Sequence, residues 1–177
     1  MQLDVIGYRY SAEELFVLMS LQGKDSVRAV PALHQPNREQ FARGMEALEE
    51  NDILENVGGR LLLDRIHGFL ISNLCDCDRY FSIEKEDRIL ALCACPKMVM
   101  TVQTRDREHW VIRVAPDMEG ILEEYNREMK RFREGGIIRM ADGTEEEEQE
   151  EIKDHAALER KSKAAVQALK RSVQYFK

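Results

Sequence analysis

Four short strand-like runs, at residues 80–83, 89–95, 98–103 and 110–114, follow one another with only brief polar breaks between them. The breaks, at 84–87, 96–97 and 106–108, are too short to hold a crossover helix, so successive strands must turn back on one another. An antiparallel sheet over 79–115 is therefore the first expectation.

Helical signals lie on both sides of it. Ser11 with Glu14, and Asn37 with Gln40, have the spacing of capping boxes. Leu15, Phe16 and Met19 stripe the first helix, and Phe41, Met45 and Leu48 the second. Gly58-Gly59, between two short apolar runs, predicts a tight hairpin, and Asp64 caps a helix carrying Ile66, Phe69, Leu70 and Leu74. Pro116-Asp117 opens a further helix over 117–133 that stops at Gly135-Gly136. The fold class predicted is α+β: an antiparallel β-sheet flanked by helices, with a winged-helix-like N-terminal part and a long C-terminal helix.

The organisation follows. Residues 1–141 form one α+β domain, with the winged-helix-like part at 10–64; 142–151 is an acidic linker; 152–177 is a C-terminal amphipathic helix. Val166, Leu169, Val173 and Phe176 recur along that helix at steps of three and four. The stripe either packs on its own domain or docks a second chain. With Trp110, these four residues are the expected partner-binding anchors.

The formal net charge of −7 over 177 residues disfavours a general affinity for nucleic acid, although the acid is concentrated in 142–151. The second helix, NREQFARGMEALEEND, sets Arg38 and Arg43 against five carboxylates, and phosphate is repelled along its C-terminal half. A winged-helix transcription regulator with a C-terminal dimerisation helix is the alternative reading. No segment has the length of apolar residues a membrane span needs, and the first ten residues lack a signal-peptide pattern, so a cytoplasmic location is expected.

Cys75, Cys77, Cys93 and Cys95 form two C-x-C pairs. Four thiolates suit zinc, but structural zinc sites usually place two residues between paired cysteines. Cys93 and Cys95 also share a strand face with Ile89 and Ala91, as small core residues do. Buried thiols are the expectation, with zinc as the alternative. His34, His67, His109 and His155 fit no catalytic spacing, and Gly58-Gly59 lacks the further glycines and lysine of a phosphate loop. No enzyme activity and no cofactor are expected.

The S-A-E-E-L helix start, the E-E-N-D-I-L helix end before the Gly-Gly turn, R-L-L-L-D, and F-L-I-S-N-L-C running into D-R-Y-F-S-I together resemble one half of the EspG family. These are the cytosolic substrate-recognition chaperones of ESX (type VII) secretion. Asp78-Arg79 stand where that family steps into its sheet, and the resemblance spans about residues 10–114. Family members are about twice as long, with two similar halves in one continuous sheet. The resemblance therefore implies a homodimer and a helical protein partner held by apolar contact. It carries no binding residue across, and by position alone it points to 79–114.

Overall fold

The computed structural model describes residues 5–144 and 146–173, without the side chain of Val173. Its centre is a seven-stranded sheet of order β1-β7-β6-β5-β4-β8-β9, antiparallel throughout. The strands are β1 (Ile6–Ser11), β4 (Arg79–Lys85), β5 (Arg88–Ala94), β6 (Val99–Thr104), β7 (His109–Ala115), β8 (Gly136–Asp142) and β9 (Glu148–Ile152). A separate hairpin pairs β2 (Leu54–Val57) with β3 (Arg60–Leu63).

Strand alternation divides the sheet into two buried faces. Tyr80, Ala91, Cys93, Met100, Val102, Trp110 and Ile112 face one helical layer, made by α1 (Ala12–Leu21), α2 (Arg38–Glu50) and α3 (Arg65–Cys75). Phe81, Ile83, Leu90, Leu92 and Val99 face the other, made by α4 (Met118–Met129) and α5 (His155–Val173). A sheet covered on both sides reads as nearly unbroken apolar sequence, and RILALCA of β5 is an example.

Both capping boxes are present: Ser11 with Glu14 starts α1, and Asn37 with Gln40 starts α2. α1 buries Leu15 to Met19 without a gap, because the sheet lies on one side and α2 on the other. Gly44 permits the close crossing, since a Cβ there would lie 2.4 Å from the Glu13 carbonyl oxygen.

Two expectations need correction. The acidic stretch 142–151 is no free linker, because part of it is β9, paired along β8. The Tyr80 hydroxyl donates to Glu147, Arg139 lies 3.9 Å from the same carboxylate, and Lys161 pairs with Glu150 at 3.2 Å. β1 and β8 lie outside the expected sheet 79–115 and extend it on either side. The C-terminal helix is docked as far as it is described: Leu158, Ala165, Val166 and Leu169 are buried in the second core, and Ser162 meets the Tyr125 hydroxyl of α4 at 2.7 Å.

Candidate functional site

The hairpin β2–β3 and the helix that follows it form the candidate surface. Gly58 and Gly59 hold φ of 60° and 80°, the left-handed pair a two-residue hairpin turn requires. The Asn56 side chain accepts a hydrogen bond from the Gly59 N–H at 3.1 Å and closes the turn. At the hairpin base Leu54 is buried in the core, and the Asp64 N–H donates to the Ile53 carbonyl at 2.8 Å.

Asp64 then starts α3, its carboxylate accepting from the N–H groups of Ile66 and His67 at 2.9 and 3.2 Å. Leu63 packs where Gly68 leaves room: a Cβ on that glycine would stand 3.3 Å from Leu63 Cδ2. Leu70, Ile71 and Leu74 turn into the core.

The opposite side of α3 has no such cover. Ile66 is 61% exposed and Phe69 47%, while on the hairpin Val57 is 51%, Leu61 43% and Leu62 50% exposed. These five are most of the large apolar side chains left in solvent among the described residues, and all fall within thirteen positions of the chain. The hairpin register divides them: Val57 and Leu62 share one face of the hairpin, and Leu61 lies on the other with Leu54 and Leu63. Cations accompany them. Arg60 and Arg65 are exposed, and the Lys97 ammonium lies 5.8 Å from the Phe69 ring centre.

The expected anchors lie elsewhere. Trp110 is a core residue at 1% exposure, its indole N–H donating to the Arg107 carbonyl at 3.0 Å. Its place as an exposed partner contact is therefore corrected. Val166 and Leu169 are likewise spent on the protein's own sheet. The Val173 side chain and all of Phe176 lie outside the described residues.

The four cysteines are free thiols and do not form one group. Cys77, Cys93 and Cys95 meet in the first core, whereas Cys75, beside Asp76 and Lys24, only packs at its margin. Burial pushes the Cys75 thiol up to about 11. Among the described residues no group of three or more His, Cys, Asp or Glu side chains is placed to hold a metal ion. Nor is any described helix long and apolar enough to cross a membrane.

The signal for the exposed surface was available in the sequence: Val57, Leu61, Leu62, Ile66 and Phe69 supply more apolar residues than one hairpin and one helix face can bury. The architecture defines the class, an α+β protein with an antiparallel sheet between two helical layers. No known protein family and no curated protein matches the chain.

Proposed function

We propose that the protein is a non-enzymatic protein-binding module, a cytosolic chaperone or adaptor for type VII secretion substrates, acting as a homodimer. The observation that carries the binding reading is the exposed apolar set Val57, Leu61, Leu62, Ile66 and Phe69 on one hairpin and the helix that follows it. An amphipathic helical partner suits such a surface, since its apolar stripe buries against Ile66 and Phe69 while its acidic flank meets Arg60, Arg65 and Lys97. The element order shared with one half of the EspG family supports the secretion role.

Homodimerisation has its support at the sheet edges. β9 is an acidic edge, EQEEI, with Glu148, Glu150 and Glu151 exposed, and like charges there oppose pairing. β1 ends the sheet on the other side with Ile6 and Arg9 exposed and offers backbone groups to a second strand. Two copies joined through β1 form one continuous sheet.

The test of the binding role is a paired co-purification from the native cell, using the wild type and an Ile66→Asp/Phe69→Asp variant. Both sites are exposed, so the variant is expected to melt within a few degrees of the wild type. It is expected to lose a helical secretion substrate that the wild type retains. Equal recovery of that substrate by both forms contradicts the assignment of this surface.

A further inference from the structure

The second face of the sheet is not covered evenly. α4 lies over β5, β6 and β7, and α5 over β4, β5, β8 and β9, so the β1 end extends beyond the main helical cover. A cleft of about 340 Å³ lies there, lined by Arg9, Gln103, Arg105, His109, Val111 and Arg113.

The strand register gathers these side chains. Arg9 pairs with Val111 and Val111 with Gln103, so the three form one row across β1, β7 and β6. In the row on one side, Gly7 pairs with Arg113. In the row on the other, Ser11 pairs with His109, and the β6–β7 register carried one step further sets Arg105 opposite His109. Opposed residues share a face, and so do residues two apart on a strand. Val111 therefore has Arg9 and Gln103 on either side across the strands, about 10 Å from each other, and Arg113 and Arg105 toward its two ends. A Cβ on Gly7 would stand 3.9 Å from Arg113 Cγ, so the Arg113 stem lies over β1, beside Arg9.

The charges of the cleft are not balanced from within. Arg9 is exposed and has no ion-pair or hydrogen-bond partner among the described residues. Arg105 and Arg113 meet carboxylates of α4, Glu128 at 2.9 Å and Glu124 at 3.9 Å. Both carboxylates are shared with further arginines, Glu128 with Arg131 at 3.5 Å and Glu124 with Arg127 at 2.9 Å. The Arg113 Nη1 is buried without a hydrogen-bond acceptor. Asp106, the carboxylate that lines the cleft, already accepts from the His109 N–H at 2.8 Å and meets the His109 ring at 2.7 Å. Three guanidiniums gathered on one patch repel one another, and an anion between them removes that repulsion.

We propose that this cleft binds a small diphosphate, one phosphoryl group held by Arg9 and Arg113 and the other by Arg105 and the Gln103 amide. A guanidinium presents paired N–H donors that match two phosphate oxygens, and the charge on both partners strengthens each bond. Two phosphoryl groups rather than one suit donors spread over three strands and three rows. The volume falls at the small end of the range for small-molecule sites, and Val111 gives the floor an apolar centre. The cleft lies on the face of the sheet opposite α3 and the β2–β3 hairpin. Pairing of two copies through the β1 backbone uses the sheet's edge and leaves this face open, so the site stands apart from both the docking surface and the dimer.

The experiment is isothermal titration calorimetry of the full chain with pyrophosphate, inorganic phosphate and citrate in turn. Pyrophosphate is expected to saturate one site per chain, with inorganic phosphate and citrate each at least about tenfold weaker. Arg9→Gln and Arg113→Gln are each expected to weaken pyrophosphate by about tenfold or more, the loss of one charged hydrogen-bonding group. Arg133→Gln, on a different basic cavity beside Arg88 and Arg131, is expected to leave the affinity unchanged. Absence of saturable binding at millimolar pyrophosphate overturns the proposal. Inorganic phosphate or citrate binding as tightly as pyrophosphate overturns the diphosphate assignment, and an equal loss in Arg133→Gln and Arg9→Gln overturns the placement. Arg9 is exposed, so Arg9→Gln decides the matter should Arg113→Gln fail to fold.

Discussion

Asp106 and Thr104 together hold the β6–β7 turn, the Thr104 hydroxyl donating to the His109 carbonyl at 2.8 Å and accepting from the Arg107 N–H at 2.9 Å. The Asp106 carboxylate accepts from the N–H groups of Glu108 and His109 at 2.9 and 2.8 Å and meets His109 Nδ1 at 2.7 Å. Chiefly through the His109 N–H, and then its ring, the Asp106 carboxyl is held well below the usual carboxylate range. His109 is raised in return, first by its hydrogen bond to Asp106. The two signs run oppositely with pH. The lowered Asp106 stabilises the fold above the ordinary carboxylate range, and that contribution is lost as pH falls through its folded value. The raised His109 contributes fully below the ordinary histidine value of about 6.5 and loses its contribution as pH rises through its folded value. Both groups lie in solvent, so the readout is the titration itself. An NMR titration is expected to place the His109 midpoint above the ordinary value, and Asp106→Asn to bring it back. An unchanged midpoint in the variant contradicts the turn's geometry.

At the scale of elements, α5 and β9 belong to the fold. Leu158, Val166 and Leu169 of α5 cover β4, β5, β8 and β9, and Ile152 of β9 joins the same core. Each such side chain stabilises by about 1.5–3 kcal/mol when buried, so losing the group removes an amount comparable with the whole net stability of a domain, about 5–15 kcal/mol. A chain ending at Gly143 is therefore expected to aggregate or to bind a hydrophobic dye strongly and lose its cooperative melt. A soluble truncation with a sharp melt near that of the full chain contradicts the docked helix.

The elements also show what a sequence can disclose. Ser11–Glu14 and Asn37–Gln40 were legible because capping is local, involving residues three apart. The central strands were legible because each alternates or runs apolar between short polar turns. β9 was not: EQEEI has one apolar residue and becomes a strand only through its register with β8, a tertiary fact. Val166 and Leu169 gave an amphipathic stripe that is the same whether it meets a partner or its own sheet. Trp110 carried a readable signal, since it alternates with Ile112 and both face the first helical layer. The exposure of the apolar residues between Val57 and Phe69 depends on which faces the hairpin and α3 turn to the core, which local pattern does not fix.

For the whole molecule, the asymmetry between its two sheet edges sets the expected assembly. Light scattering on the full chain is expected to give a dimer. Ile6→Glu/Arg9→Glu places carboxylates on both facing copies of β1 and is expected to give a monomer with an unchanged fold. A monomeric wild type, or a dimer indifferent to these charges, excludes pairing through β1.

The central claim is that the exposed face of α3 receives a helical protein. A photo-crosslinking amino acid replacing Phe69, irradiated in the native cell, tests this most directly, with the same group at exposed Glu119 on the opposite helical layer as control. The account predicts one discrete adduct from position 69, containing a helical-hairpin secretion substrate crosslinked through its apolar stripe, and none from position 119. Equal, diffuse labelling from both positions would contradict it.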